Sequence, residues 1–261
     1  MKSKVTVVMP AYNAALTLEK TYNDIPHDLV DDIILVDDCS SDNTSEIARG
    51  LGIHVIRHEK NTGYGGNQKT CYTAALERGA DIVAMIHADY QYDPKALPLA
   101  LDIIKNGEAE IAYGSRMMNL DSARRGLMPL YKRLGNAFLT WFTNVMLGLK
   151  LTDAATGYIV HTRNVLETLP FHLNHDGYWF DEQTIAQSAC FGFRMKEFPI
   201  LTRYEDESSS ISFRKCIFYG LGTMQAMILG RLSMWNIYHS PLFRPRKQTP
   251  NSAAIPASNN S

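Results

Sequence analysis

The first 115 residues alternate between short apolar runs and stretches in which apolar positions recur at helical spacing. The runs are Val5–Pro10, Asp32–Asp37, Ile53–His58, Asp81–His87 and Ala109–Gly114. Between them, Leu16–Asp24, Thr44–Leu51, Asn67–Arg78 and a segment opened by Pro94 and ending near Asn106 read as helices, with Asp42 or Asn43 as a cap before the second. Strands this apolar, alternating with helices, predict a parallel sheet covered on both faces, a doubly wound α/β arrangement.

Beyond residue 115 the rhythm loosens. Pro129–Leu149 reads as one long helix, followed by helical and strand-like pieces at Asp181–Gly192 and Arg194–Pro199 and a late helix over about Phe213–Tyr238. Leu130, Leu134, Phe138, Trp141, Val145 and Leu149 fall on one face of the long helix, and Arg124, Arg125, Lys132 and Arg133 cluster at its start. That pattern fits either a core-packing helix or one lying on an anionic membrane surface. Cys216–Gly230 is free of charge for 15 residues, shorter than the roughly 20 that a spanning helix needs. It is expected to pack on the domain or lie at a surface, between Lys215 and Arg231. From Arg244 onward the chain is rich in Pro, Ser and Asn and is expected to be a disordered tail. The expected organisation is one domain over 1–243, with a regular α/β half (1–115) and a less regular half (116–243).

Composition narrows the class. The formal net charge of −1 provides no field that would draw the chain onto nucleic acid. The four cysteines show neither C-x-x-C nor zinc spacing, which predicts free thiols in a reducing compartment. Lys2 and Lys4 precede only a short apolar run that meets Pro10, so no secretory leader is read and a cytoplasmic location is expected. Self-association remains open.

Candidate chemistry collects after the first, second and fourth strands, where an open parallel sheet binds its ligands. The three clusters are Pro10-Ala11-Tyr12-Asn13, Asp37-Asp38-Cys39-Ser40 and His87-Ala88-Asp89-Tyr90-Gln91. Carboxylates after the second strand suit nucleotide N–H or ribose hydroxyl groups. Asp89 and Gln91 are oxygen ligands two residues apart. In an extended segment they share a side, so both could face Mg²⁺ or Mn²⁺ together with diphosphate oxygens. His87 could join them or act as a hydrogen-bond donor. The glycine loop Gly63-Tyr64-Gly65-Gly66 fits neither the P-loop nor the dinucleotide fingerprint. It is expected to bring backbone close to a nucleotide, with Lys69 touching donor phosphate or base, or simply solvated. A nicotinamide oxidoreductase is excluded by the missing fingerprint at the first strand.

Several motifs resemble glycosyltransferase family 2, of GT-A fold, in its dolichyl-phosphate mannose synthase-like branch. They are VVMPAYN (7–13), ILVDDCSSDNT (34–44), NTGYGGNQK (61–69), HADYQYDP (87–94), GSR (114–116), LTDAATGY (151–158), FDEQ (180–183) and EFPILTRY (197–204). The resemblance spans about residues 3–215 and implies an inverting transferase. Its donor would be a UDP- or GDP-linked sugar, its cofactor Mg²⁺ or Mn²⁺ and its acceptor a polyprenyl phosphate at the membrane surface. It puts Pro10, Tyr12 and Asp38 on the nucleotide, Asp89 and Gln91 on the metal and Arg203 near the donor diphosphate. On the acceptor side it puts Arg116 near the acceptor phosphate and makes Asp181 the candidate base. Three positions depart from the family pattern: Ala14 replaces a glutamate, His87 replaces the first aspartate of D-x-D, and Glu207–Ser212 lacks a glycine and a lysine. A glycan or other hydroxyl acceptor, or a non-catalytic nucleotide-sugar binder, are the alternative readings.

Overall fold

A computed structural model describes residues 2–118, 130–203 and 213–246. Seven strands form one sheet: β1 (Val5–Ala11), β2 (Asp32–Asp37), β3 (His54–Arg57), β4 (Ile82–Met85), β5 (Ile111–Ser115), β6 (Ile159–Thr162) and β7 (Met195–Pro199). Their order is β3-β2-β1-β4-β6-β5-β7. β6 alone runs against its neighbours, β4 and β5; every other pairing is parallel. The five strands expected in the first 115 residues are all present, but they do not form a continuous sheet by themselves. β6, from the second half, fills the place between β4 and β5, so one sheet spans both halves of the chain.

The described helices are α1 (Leu18–Asp24), α2 (Thr44–Gly50), α3 (Tyr64–Glu77), α4 (Leu97–Lys105), α5 (Leu130–Leu147), α6 (Arg163–Thr168), α7 (Phe180–Cys190) and α8 (Phe213–Met234). The sheet separates two cores because successive strand side chains point to opposite faces. Val5, Val7, Met9 and Ala11 of β1 join Leu18, Ala48, Leu97 and Leu101 on one face. Val8 joins Cys71, Val165, Phe180, Ile185, Leu147 and Met227 on the other.

α5 and α8 form an outer layer over α7. Leu139 lies near Gly220 and Leu147 near Gly230, so the two helices run in the same general direction. Two glycines of α8 are close-packing points. A Cβ on Gly222 would stand 2.6 Å from the Trp179 ring, and one on Gly230 would stand 3.1 Å from Ala186 Cβ. Among the described residues no helix is long and apolar enough to cross a membrane.

The row Leu134, Phe138, Trp141 and Val145 faces outward, while Leu139, Thr143 and Leu147 turn inward. Ile217, Phe218, Leu221 and Ile228 of α8 are likewise exposed, as are Trp235 and Ile237 just beyond it. Of the two readings of the long helix, its apolar row is therefore not the core-facing side. Near the end of the described chain, Arg246 N donates to Thr168 O at 2.8 Å. Residues 247–261, like Glu207–Ser212, lie outside the described residues.

Candidate active site

The carboxyl ends of β1, β2 and β4 meet as the parallel register requires, with Ala11 beside Asp37 and Ala88 N donating to Pro10 O. Pro10 is buried inside β1, and the Tyr12 ring stands 58 % exposed at its end, open to stacking. Asn13, at φ 51°, accepts from Ser41 N and donates its own N–H to Ser40 Oγ, which ties the first crevice loop to the second.

Asp38 is buried, and both of its oxygens are engaged. Oδ1 accepts from Thr62 N (2.8 Å) and Thr62 Oγ1 (2.7 Å) and lies 2.8 Å from His58 Nδ1, while Oδ2 accepts from Gly63 N. In this arrangement Asp38 anchors the start of α3. Asp37 does similar work within its own loop, accepting from Ser40 N and Ser45 Oγ.

The glycine loop has an occupant from the protein itself. Gly65 N donates to Asp176 O at 2.8 Å, and Gly66 N approaches the same oxygen at 3.4 Å, which satisfies donors exposed at the α3 N-terminus. A Cβ on Gly65 would lie 2.3 Å from His175 O, so this close approach requires glycine. Lys69 Nζ donates to Asn174 O and to Asp176 Oδ1 (2.6 Å). The backbone that the loop admits is therefore residues 175–176, and Lys69 clamps the same segment.

Residues 88–90 form a turn, and Tyr90 adopts φ 57°. The extended geometry that would align Asp89 with Gln91 is thus absent: Asp89 Oδ1 folds back to accept from Gln91 N at 3.0 Å. Asp89 Oδ2 has no hydrogen-bond partner among the described residues. Tyr90 points the other way, donating to Asp24 and lying 4.1 Å beneath the Arg203 guanidinium. Arg203 N donates to Gln91 O, so the strap after β7 runs alongside the Asp89 turn. Arg203 Nη2 lies 3.4 Å from Asp93, whereas its buried Nη1 has no hydrogen-bond partner among the described residues.

His87 stacks on Tyr64 with ring centroids 5.5 Å apart, and a Cβ on Gly157 would stand 2.8 Å from its Nε2. Burial lowers its pKa and so favours the neutral ring. No group of three or more His, Cys, Asp or Glu among the described residues is placed to hold a metal. A magnesium-like ion needs fewer protein ligands, since it keeps waters and takes substrate phosphate oxygens, and the half-satisfied Asp89 carboxylate fits that use.

Tyr64 also donates to Asp181 Oδ2 at 2.7 Å, which links the Asp89 turn to the first turn of α7. Asp181 is 6 % exposed; Gln68 Nε2 reaches the same oxygen at 3.3 Å, and Oδ1 has no partner among the described residues. Burial pushes its pKa up to about 7. Glu182, next on the helix, is pushed to about 8 by burial and then by the Asp181 charge. Tyr219 of α8 donates to Glu182 Oε1. Arg116 is buried and paired bidentately with Asp153 at 2.6 and 2.7 Å, and it donates to Ala155 O. It holds the 153–155 loop.

The structure therefore brings Asp181, Tyr64, His87 and the Asp89–Gln91 turn together, with Arg203 alongside. Asp38, Lys69 and Arg116 serve as struts. Tyr64, Asp153, Asp176, Glu182 and Tyr219 were not identified from sequence. Tyr64 and Asp153 lie inside the quoted motifs, whereas Tyr219 carries no local signal.

A glucosyl-3-phosphoglycerate synthase from Mycobacterium tuberculosis, in complex with Mn²⁺, UDP and phosphoglyceric acid, superposes with a TM-score of 0.66 at 18 % identity, over 91 % of this chain and 80 % of that one. At that identity the likeness shows the fold, which is GT-A. The UDP-N-acetylglucosamine–dolichyl-phosphate N-acetylglucosaminyltransferase of Methanococcus voltae is 29 % identical over 83 % of this chain and 94 % of its own. The undecaprenyl-phosphate mannosyltransferase of Micrococcus luteus is 26 % identical over 76 % of this chain and 82 % of its own. The model of the family described as glycosyl transferase family 2 matches residues 6–197, and the chain belongs to that family.

Proposed function

We propose that this protein transfers a sugar from a UDP- or GDP-linked donor to a polyprenyl phosphate, with inversion and with Mg²⁺ or Mn²⁺. The observation that carries this reading is the joining of the Asp89 turn to Asp181 through Tyr64 and His87, at the carboxyl ends of the strands. Relatives named for dolichyl- and undecaprenyl-phosphate acceptors support the acceptor class. The likeness to a synthase that binds UDP with Mn²⁺ supports the donor and the metal.

On this reading residues 1–115 serve the donor and 116–243 the acceptor. Tyr12 offers a face to the nucleotide base beside Pro10. Asp89, through the oxygen that Gln91 N leaves free, would hold the metal, which when bound supplies neutralisation of charge on the leaving diphosphate. Arg203 Nη1, which has no hydrogen-bond partner among the described residues, would meet a diphosphate oxygen. An acceptor phosphate oxygen attacks the anomeric carbon as the bond to the diphosphate breaks, its electrons leaving with the nucleoside diphosphate. That oxygen is already ionised, so Asp181 need not remove a proton and instead orients groups through Tyr64. The outward apolar faces of α5 and α8, with basic residues in their first turns, suit a location on the cytoplasmic face of an anionic membrane.

The test is transfer from a panel of radiolabelled UDP- and GDP-sugars to a short-chain polyprenyl phosphate in detergent, with Mn²⁺ or Mg²⁺. Transfer to a free glycan but not to the lipid phosphate would overturn the acceptor assignment. Absence of any transfer would favour a sugar-nucleotide binder.

A further inference from the structure

The first turn of α7 carries two adjacent buried acids, and each is held by a phenol from a different side of the protein. Tyr64, at the start of α3, donates to Asp181. Tyr219, in the first half of α8, donates to Glu182 Oε1. Glu182 is 3 % exposed, and its second oxygen, Oε2, has no partner among the described residues. Tyr219 also lies within reach of the charges of Asp181 and Arg116. Among the described residues, the other side-chain hydrogen bond between α7 and α8 is Cys190 Sγ to Gly230 O, near the far ends of the two helices.

We propose that Glu182 is a positioning residue for the acceptor: through Tyr219 it seats α8, with its outward apolar face, against the turn that carries Asp181. This inference rests on the acceptor assignment made above. It gives a role to Glu182, which lies inside the FDEQ motif, and adds its contact with Tyr219, which lies in no quoted motif.

Three observations support it. A buried hydroxyl-to-carboxylate bond is costly to leave unmade, so the contact resists sliding of α8 over α7. Gly222 lets the Trp179 ring close onto α8 within one turn of Tyr219, so apolar packing and the polar bond fix the same point. Glu182 also keeps its proton near neutral pH, since burial and the neighbouring acid raise it to about 8. The contact can therefore hold without adding a second negative charge where an anionic acceptor must approach. The donor side is held by other groups, in the Asp38 loop and the Asp89 turn, and should not feel the change.

Three variants test the inference: Tyr219→Phe, Glu182→Ala and Glu182→Gln. Each is assayed with a short-chain polyprenyl phosphate and with the nucleotide sugar that wild type uses, while thermal unfolding monitors the fold. Tyr219→Phe and Glu182→Ala are expected to raise the acceptor KM about tenfold and to leave the donor KM within about twofold. Glu182→Gln keeps an oxygen that can accept from Tyr219, so it should recover most of what Glu182→Ala loses. A merely structural role would lower the melting temperature and disturb both KM values together. If Glu182→Ala does not fold, the contrast between Tyr219→Phe and Glu182→Gln still decides, because Phe keeps the ring and removes only the hydroxyl. The inference fails if donor and acceptor KM move together, if neither moves, or if Glu182→Gln is as impaired as Glu182→Ala. Failure of wild type to use any polyprenyl phosphate is a separate result that withdraws the acceptor assignment and this inference with it.

Discussion

The Tyr64 hydroxyl donates to Asp181 at 2.7 Å while the Tyr64 ring stacks on His87, so one side chain joins the α7 acid to the Asp89 turn. Because the phenol favours the ionised carboxylate, Tyr64→Phe should raise the Asp181 pKa above about 7. The check is a ¹³C NMR titration of aspartate-labelled protein, with Asp181→Asn assigning the resonance. An unchanged titration would mean that the bond does not form in solution.

Asp181→Asn separates the two acceptor chemistries. With a lipid phosphate acceptor, turnover should fall by no more than about tenfold, because no proton has to leave the acceptor. With a hydroxyl acceptor the loss should reach about 10²–10⁴-fold, the usual contribution of a positioned base. Initial rates with saturating donor distinguish the outcomes.

Stability should follow the same acid. Its pKa is raised from 3.8 to about 7 on folding, so the folded state binds the proton more tightly. Asp181 therefore contributes stability that is full below about pH 4 and is lost as pH rises through about 7. Relative to wild type, Asp181→Asn should gain on the order of a few kcal/mol between pH 5.5 and 8.5, since the amide carries no charge to bury. Denaturant melts of both proteins across that range measure the difference. A gap that does not change with pH would contradict the raised pKa.

On the proposed reading Asp89 takes the metal. In wild type, a UDP- or GDP-sugar at a hundred times its Kd should add ~2.7 kcal/mol of stability, part of it dependent on Mn²⁺. Asp89→Ala should abolish the Mn²⁺-dependent part and leave a smaller shift from the nucleotide alone. Thermal-shift curves with and without Mn²⁺ report both. An intact Mn²⁺ response in the variant would place the ion elsewhere.

Lys69 bridges Asn174 and Asp176 over the glycine loop. Lys69→Met should cost about 1–3 kcal/mol of stability through the unpaired oxygens and leave donor affinity nearly unchanged. A tenfold loss of donor affinity would instead mean that Lys69 releases Asp176 to meet a phosphate. Gly65→Ala should be harsher than Lys69→Met, since its methyl group would stand 2.3 Å from a backbone oxygen. Calorimetric melts and donor titrations on the two variants give the comparison.

Much of this molecule was written locally. The alternation of apolar runs with helical spacing set five of the seven strands and the helices between them, because burial on both faces imposes continuous apolar character on a parallel strand. The polar clusters after β1, β2 and β4 were legible for the same reason: they begin where the apolar runs stop. Tertiary structure decided what no window of sequence holds. β6 enters the sheet from beyond residue 150 and separates β4 from β5. Asp176 O, more than a hundred residues away, fills the glycine loop that resembled a ligand cradle. Asp89 sits in a turn where an extended strand end was expected. Tyr219, with no motif around it, meets Glu182 because α8 packs across α7. Periodicity reports which residues must leave water, and that is a local demand. Which buried donor meets which buried acceptor depends on how distant segments pack, and only the folded chain brings them within hydrogen-bonding distance.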